Sequence, residues 1–346
     1  MQVQQNYSLK NYNTFGINVQ AEYFTEFESV ESLQSILKDQ ENTSKMILGG
    51  GSNILFTKDF PGLILKNNIS FIDESHDRDG TVLVRVGAGI NWHRFVLHCV
   101  NNNYGGVENL SLIPGNVGAS PMQNIGAYGV EIKDVFHELE AYDLKENIVR
   151  KFKKPECEFG YRESIFKKKY KDRFVILNVT FALNLKPVFN TSYGAIEQEL
   201  EKMNITQLSI KAISDAVINI RSSKLPDPAV IGNAGSFFKN PVITKGQYTR
   251  TTELFLSSSK KNEGVLEIPF YSIDDVHLKV PAGWLIEQCG WKGYRKNDAG
   301  CYPKQALVLV NYGNASGREI YDLSSEIILS VKGRFGIELE REVNII

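Results

Sequence analysis

The chain has 346 residues, 42% of them hydrophobic and 23% charged, with a formal net charge of −1. This composition argues against a disordered chain and favours a globular protein of two or three domains. Because the net charge is near zero, no overall positive field exists to hold nucleic-acid phosphates. The lysine-rich stretches 151–154 and 167–169 are interpreted as solvated faces.

The first third of the chain alternates helix and strand signals. Ser29 is a candidate N-cap for a helix in which the apolar residues of 30–37 share one face. A second helix is predicted from Trp92 to Val100, where apolar residues recur at helical spacing. Apolar strands are predicted at 46–48, 62–65 and 82–86.

The middle of the chain favours antiparallel strands. Residues 135–142 and 148–152 flank a polar turn, and 173–183 alternates in the manner of a half-buried strand. A helix over 210–220 is followed by two prolines within 224–228, which predicts a domain boundary. The elements predicted beyond it are helices at 282–289 and 318–332 and strands at 306–311 and 337–345.

A first glycine-rich segment lies between two of the predicted strands. It consists of Gly49, Gly50, Gly51, Ser52 and Asn53. Three glycines allow positive φ angles and close approach of the backbone to a ligand, and the two polar side chains add hydrogen bonds. A pyrophosphate site and a tight turn between strands are equal alternatives for this segment alone.

Two familiar nucleotide-binding patterns are not supported. The sequence contains no GxxxxGK[ST], so a P-loop NTPase is not indicated. Gly87 and Gly89 follow a predicted strand and precede a helix, but Trp92 replaces the third glycine of the Rossmann fingerprint.

A second, longer glycine-rich stretch runs from Ile113 to Gly129 and contains four glycines and two prolines. Small residues and fixed φ angles make a poor core but a well-defined backbone surface. The pyrophosphate and flat ring of a dinucleotide suit two such segments acting together. An ordered loop without a ligand is the alternative.

The compartment is inferred from features that the sequence lacks. No basic segment followed by an apolar one opens the chain, and no apolar run approaches about 18 residues, so neither a secretory signal nor a membrane span is predicted. The cysteines form no CxxC pair, so a bound metal and a redox dithiol are not expected. Reduced cysteines in the cytoplasm fit best. The four are Cys99, Cys157, Cys289 and Cys301.

Several further motifs accompany the two glycine-rich segments along the chain. They are NTFG at 13–16, GYRES at 160–164, KLPDP at 224–228, GNAGSFFKNP at 232–241, AGWLIEQ at 282–288 and LEREV at 339–343. Together these motifs, which cover essentially the whole chain, resemble in the same order the UDP-N-acetylenolpyruvoylglucosamine reductase family. GNAGSFFKNP is the most specific of them, because generic flavin domains lack it.

The resemblance implies an α+β fold with three parts. Residues 1–70 and 71–222 would be two FAD-binding subdomains, and 223–346 a C-terminal α+β domain that binds the substrate. The flavin region, about 17–188, is similar to the vanillyl-alcohol-oxidase or PCMH type.

The family's reaction implies the cofactor and the partners. Hydride passes from NADPH to FAD and then to the enolpyruvyl group of UDP-N-acetylglucosamine enolpyruvate, which gives UDP-N-acetylmuramate for peptidoglycan. The expected protein is a cytoplasmic monomer that binds a UDP-sugar, with no nucleic-acid or membrane partner and no metal. The alternatives are an FAD-linked oxidase and a non-catalytic nucleotide- or sugar-binding protein.

Hydride addition to the enolpyruvyl group requires a cation near its carboxylate, a proton donor and a group that polarises the enolate. The resemblance assigns these roles to Arg162, Ser236 and Glu342, with Glu342 favoured over Glu340. An arginine can meet a carboxylate with two parallel hydrogen bonds.

Binding positions are carried over from the same motifs. Those for FAD are Gly49, Gly50, Gly51, Ser52, Asn53, Pro114, Gly115, Gly118, Gln123, Asn124, Gly126, Tyr128 and Gly129. Those for the UDP-sugar are Tyr193, Lys224, Asn240 and Gln305.

Overall fold

The computed structural model describes residues 2–40, 43–76, 79–192, 194–258 and 267–346. Within these residues the α-helices are α1 Val30–Asp39, α2 Trp92–Asn101, α3 Gly194–Lys202, α4 Ile210–Lys224, α5 Lys245–Ser258, α6 Ala282–Gln288 and α7 Gly317–Phe335. None of these helices combines the length and the apolar character that crossing a bilayer would require.

Twenty strands are found in the same described residues. They are β1 Gln4–Ser8, β2 Gln20–Phe27, β3 Lys45–Leu48, β4 Ile54–Leu55, β5 Phe60–Asn67, β6 Ile72–His76, β7 Thr81–Gly87, β8 Gly126–Ala127, β9 Val130–Glu131, β10 Phe136–Asp143, β11 Ile148–Lys153, β12 Phe174–Asn184, β13 Gly232–Ser236, β14 Val242–Thr244, β15 Tyr271–Ser272, β16 His277–Lys279, β17 Arg295–Lys296, β18 Ala299–Cys301, β19 Val308–Asn311 and β20 Asn344–Ile345.

The chain divides into two compact units, and each contains more than one stretch of sequence. Unit 1 consists of Met1–Ser8, Gln20–Gly51 and Phe60–Ser223. Unit 2 consists of Leu9–Val19, Ser52–Asp59 and Lys224–Ile346. The division into three domains stays a prediction.

The first sheet of unit 1 has the strand order β1-β2-β5-β3, in which β5 runs parallel to β2 and β3. Helix α1 begins as predicted, because Ser29 Oγ accepts from the amide of Ser32 while Ser32 Oγ accepts from that of Ser29. Its buried Leu33 and Ile36 join the core of this sheet. The predicted βα character of the first third is confirmed.

The second sheet of unit 1 is antiparallel, with the order β11-β10-β12-β7-β6. The prediction that its central strand β12 is half-buried is wrong, because β12 is buried on both faces. Val175 and Leu177 belong to the core of the first sheet, whereas Val179 and Phe181 belong to the core that contains α2. There the ring of Phe181 packs against Trp92 and Phe95. The sheet is thus covered on two sides, which a single strand's pattern could not show.

Unit 2 contains an antiparallel sheet of order β13-β19-β18-β17 and a smaller sheet of order β14-β16-β15. Helix α7 buries one apolar face from Ile320 to Phe335. A capping box at Ser316 begins the helix, and Gly336, with φ 68°, ends it.

The predicted strand at 337–345 is wrong as a continuous element, because the structure has only the short strand β20 there. The preceding residues are extended but change partners. Arg341 bridges to Phe238, and β20 then pairs in parallel with β4.

Candidate active site

The two glycine-rich segments lie against each other within unit 1. A Cβ atom at Gly50 would lie 2.9 Å from the Cα of Gly115, closer than real Cβ atoms approach. A Cβ at Gly118 would lie 2.6 Å from that of Ala88. The glycines at 50 and 118 are therefore required by loop packing, whether or not a ligand is bound.

A cavity of ≈ 190 Å³ begins at these loops. Gly49 and Gly118 line it on the loop side, and Asn67, Tyr170 and Asp172 supply polar groups. Its other walls are mostly apolar: Met46, Ile47, Leu65, Phe166, Phe174 and Ile176. Apolar walls beside two segments of glycine backbone fit the aromatic ring system and phosphates of a dinucleotide.

The second loop ends in a tight hairpin formed by β8 and β9. Its two turn residues, Tyr128 and Gly129, have φ angles of 49° and 80°. This left-handed pair is the geometry that favours glycine at short hairpin turns. Tyr128 is a bulky exception, and such exceptions cluster at functional sites.

Arg162 lies at the corner of a second tight turn. Gly160 and Glu163 exchange backbone hydrogen bonds of 3.0 and 3.3 Å, and Arg162 takes φ 55° between them. Its guanidinium carbon lies 5.8 Å from the ring centroid of Tyr161. Ser164 Oγ donates to the carbonyl of Met122 at 2.7 Å, so the GYRES turn is fastened to the second glycine-rich loop.

Arg221, on α4, is a residue that sequence reasoning missed. Its Nε donates to the carbonyl of Leu112 at 3.3 Å, and its side chain hydrogen-bonds to Tyr128. Burial lowers the pKa of Arg221, although part of the side chain remains accessible, and the charge of Arg162 lowers this pKa as well. Among the described residues, no carboxylate pairs with Arg221.

His93 bonds to Leu112, as Arg221 does, and these two residues form a cluster with Tyr128 and Arg162. The Nδ1 of His93 accepts from the amide of Leu112 at 3.0 Å. Burial lowers the pKa of His93, and the charge of Arg221 adds to this effect. Three non-glycine residues that interact with Arg221 have left-handed backbones, with φ 58° at Leu112, 49° at Tyr128 and 55° at Arg162. Leu112 and Tyr128 hydrogen-bond to Arg221, and Arg162 acts on it through its charge. Two cations in a partly desolvated cluster favour an anionic or electron-rich ligand.

One sequence signal could have identified Arg221. It lies four residues after the buried Val217 on α4, and residues four apart lie on the same face of a helix. A charged residue on a buried face is unusual and indicates a specific role. The side chains that meet it come from distant loops, and the sequence does not reveal that meeting.

In unit 2 the structure brings the segments of Ser236 and Glu342 together. Strand β13 has a register shift between Asn233 and Ser236, and Gly235 within it has φ 70°. Ser236 is exposed at the end of this bulge, while the next two residues are buried phenylalanines. The amide of Glu342 donates to the carbonyl of Phe237 at 2.8 Å.

Asn53, predicted to bind FAD, contacts the same segment. Its carbonyl accepts from the amide and the side chain of Asn344 at 3.1 and 2.9 Å. Its side chain donates to the carbonyl of Glu342 at 3.4 Å. The end of the first glycine-rich segment is therefore tied to the backbone that carries Glu342.

Two of the predicted substrate residues meet at the beginning of α6. Asn240 Oδ1 accepts from the amide of Ala282 at 2.9 Å. Gln305 Oε1 lies 3.0 Å from the position that a Cβ would take at Gly283. Lys224 is exposed at the end of α4. Tyr193 lies outside the described residues.

Comparison with known proteins extends over both units. The family model of the FAD binding domain matches residues 21–150. The model described as UDP-N-acetylenolpyruvoylglucosamine reductase, C-terminal domain, matches residues 227–346. A crystal structure of UDP-N-acetylenolpyruvylglucosamine reductase from Thermus caldophilus, 22% identical, aligns with a TM-score of 0.67 and covers 100% of this chain and 99% of that chain. This likeness shows the fold.

Curated relatives align along the entire chain. The UDP-N-acetylenolpyruvoylglucosamine reductase of Flavobacterium johnsoniae is 50% identical over 100% of both chains. That of Amoebophilus asiaticus is 48% identical, again over 100% of both.

Fold and matches together define an FAD-containing oxidoreductase with a PCMH-type flavin region, which confirms the predicted α+β class and the predicted cofactor. The chain belongs to the UDP-N-acetylenolpyruvoylglucosamine reductase family. An FAD-linked oxidase is not favoured, because residues 227–346 match the reductase's own C-terminal domain.

Proposed function

We propose that this chain reduces UDP-N-acetylglucosamine enolpyruvate to UDP-N-acetylmuramate with NADPH as the reductant, a step of peptidoglycan precursor synthesis. The observation that carries the proposal is the hydrogen bond of 2.8 Å from the amide of Glu342 to the carbonyl of Phe237. It holds the proposed acidic residue beside the backbone of the proposed proton donor, Ser236. Both lie within the region that matches the reductase C-terminal domain.

The two glycine-rich segments and the cavity beside them would hold FAD. Gly50 and Gly115 are in contact, and Gly49 and Gly118 line the cavity, so phosphates would meet backbone groups and an aromatic ring would meet apolar walls. When bound, FAD supplies the ring that accepts and delivers hydride. Asn124 stays a predicted FAD-binding residue, and its side chain also bonds to Gly160, Glu131 and Lys133, which would support the loop that holds FAD.

Arg162 would bind the carboxylate of the enolpyruvyl group. Its left-handed backbone places the guanidinium at the corner of a turn fixed by Gly160 and Glu163. Arg221 brings a second positive charge to the same cluster. Together they would favour the negative charge that a carboxylate brings and that develops during hydride transfer.

Ser236 would donate a proton to the carbon next to the carboxylate. Its exposure at the end of a bulge makes the hydroxyl accessible to a ligand. A serine hydroxyl is a weak acid by itself, so it needs a neighbour that returns its proton. Glu342, on the adjacent segment, is the proposed acidic or polarising partner.

The UDP part would be held in unit 2. Asn240 and Gln305 both face the start of α6, where amide groups can meet a diphosphate or uracil. Lys224 offers an exposed ammonium group for the diphosphate. For Tyr193, the role in the substrate loop remains an expectation from the resemblance.

We also infer a cytoplasmic monomer, with roles in cell shape and division that follow from cell-wall synthesis. All four cysteines are free thiols, and three of them are buried. Unpaired thiols fit a reducing compartment.

The test is an anaerobic assay of NADPH oxidation with the FAD-loaded protein. Oxidation of NADPH beyond the one equivalent that reduces the bound flavin should require UDP-N-acetylglucosamine enolpyruvate. The product should be two mass units heavier than this substrate. Ser236→Ala should spare flavin reduction by NADPH and slow sugar reduction by orders of magnitude. Equal loss of both half-reactions would argue against the assigned role of Ser236. In a parallel assay under air, rapid oxygen consumption without the enolpyruvyl sugar would argue for an oxidase.

A further inference from the structure

The segment 337–343, which carries Glu342, has residues that alternate between a buried and an exposed side. Arg341 occupies a position of the buried set. A charged side chain at such a position loses hydration, so its presence requires compensating contacts. The buried positions of the alternation are otherwise apolar: Ile337, Leu339 and Val343.

Arg341 finds these contacts on helix α7. Its Nε donates to Ser324 Oγ at 2.7 Å, and its Nη2 donates to Ser325 Oγ at 2.7 Å. The guanidinium carbon lies 4.5 Å from the ring centroid of Tyr321. Both serine hydroxyls donate their own protons to the carbonyl of Tyr321, at 2.6 and 3.0 Å. The arginine fork therefore meets two acceptors that are themselves held in place.

The other edge of the segment is fixed by the residues that directly follow strand β13 and Ser236. The amide of Lys239 donates to the carbonyl of Glu340 at 2.9 Å. The amide of Glu342 donates to the carbonyl of Phe237 at 2.8 Å. The segment is thus held between the residues that follow Ser236 and helix α7. On the α7 side, Glu338 pairs with Lys332 near the beginning of the segment, and Arg341 makes the polar contact next to Glu342.

We propose that Arg341 is a positioning residue: its two hydrogen bonds to α7 fix the place of Glu342 relative to Ser236. This inference rests on the proposed catalytic role of Glu342. A planar guanidinium satisfies two acceptors in one geometry, whereas an ammonium group does not. A displacement of a reacting group by about 1 Å can slow a reaction about 100-fold. Loss of the two hydrogen bonds of Arg341 is therefore expected to slow the step in which Glu342 acts.

The test compares Arg341→Lys in two backgrounds. In the otherwise unchanged chain, reoxidation of the reduced flavin by the enolpyruvyl sugar should slow on the order of 10- to 100-fold. Flavin reduction by NADPH and the melting temperature should change little. In the Glu342→Gln background, Arg341→Lys should cause little further slowing, because the group that it positions has already been altered.

Arg318→Lys is the matched control. Arg318 also faces the ring of Tyr321, with its guanidinium carbon 5.3 Å from the centroid, but it pairs with Asp322. Its replacement should leave reoxidation unchanged. If Arg341→Lys does not fold, Ser325→Ala removes one arm of the fork and enters the same comparison.

Equal slowing in both backgrounds, or an unchanged rate in the first, would overturn the positioning role. An unchanged rate for Glu342→Gln alone would instead refute the proposed role of Glu342, and the inference would fall with it. The background dependence separates positioning from a general effect on folding.

Discussion

The side chain of Asn124 donates a hydrogen bond of 3.0 Å to the carbonyl oxygen of Gly160. The same amide also donates to Glu131 Oε2 at 3.0 Å and accepts from the backbone of Lys133 at 3.1 Å. Asn124 is fully buried, with φ 43°. It therefore joins the second glycine-rich loop to the turn that carries Arg162.

Asn124→Ala should weaken use of the sugar more than reduction by NADPH. The substitution leaves the acceptors on Gly160 and Glu131 without a buried donor, which costs about 1–3 kcal/mol of stability. With the Arg162 turn loosened, kcat/KM for the enolpyruvyl sugar should fall about tenfold or more. Asn190→Ala is the control, because the Asn190 side chain also bonds to the second glycine-rich loop, at the carbonyl of Gly129 (3.3 Å), whereas the bond to the Arg162 turn comes from Asn124. Equal effects of both variants on the sugar would contradict this role.

Replacement of Arg221 by Met should raise the pKa of His93. The charge of Arg221 is one of the two influences that lower this pKa, the larger being burial, so the rise should be partial. NMR titration of ¹³C-labelled histidines, with His93→Gln for assignment, measures it. Arg94→Met is the control, because Arg94 is exposed on the helix that carries His93. This change should leave the pKa of His93 nearly unchanged. An unmoved His93 in the Arg221 variant would show that the two side chains are not coupled.

Gly50→Ala should impair FAD binding, because the new methyl group would lie 2.9 Å from the Cα of Gly115. Either loop must then move, and we expect the Kd for FAD to rise about tenfold or more. Gly333→Ala on α7 is the matched control, since its Cβ would have no neighbour within 4 Å. That change should raise stability by up to about 1 kcal/mol. Unchanged FAD affinity in Gly50→Ala, measured by flavin fluorescence, would argue against the loop contact.

The carboxylate of Asp143 should make the free energy of unfolding depend on pH in the acid range. Its carboxylate accepts hydrogen bonds from Arg173 at 3.0 and 2.7 Å, and these lower the pKa of Asp143 from 3.8 to about 2. A lowered folded-state pKa gives stability that is present above about pH 4 and is lost as the pH falls towards 2. Asp143→Asn should therefore be less stable than the unchanged chain at pH 6, by urea unfolding. The difference should shrink below pH 4, and a constant difference would contradict it.

Much of the local structure follows from the sequence, because caps and apolar spacing act over a few residues. The Ser29 cap of α1 and the apolar face of α2 are examples. The sequence does not reveal that β12 is buried on both faces, since this burial depends on a sheet and a helix far away in sequence. The final segment was predicted as one strand because its alternation is real, but its partners change between Phe238 and Ile54.

For the site, motif resemblance predicts Ser236 and Glu342, whose segments the structure brings together, whereas no motif points to Arg221. No sequence pattern reports that Leu112, Tyr128 and Arg162 all approach one helical arginine. Long-range convergence of this kind is set by tertiary packing and not by local propensity.

The most direct test of the reductase account is a stopped-flow record of flavin absorbance without oxygen. NADPH should bleach the bound flavin, and subsequent UDP-N-acetylglucosamine enolpyruvate should restore its colour with formation of an equivalent amount of UDP-N-acetylmuramate. A flavin that stays bleached with the sugar but recovers its colour when oxygen is admitted would contradict the account.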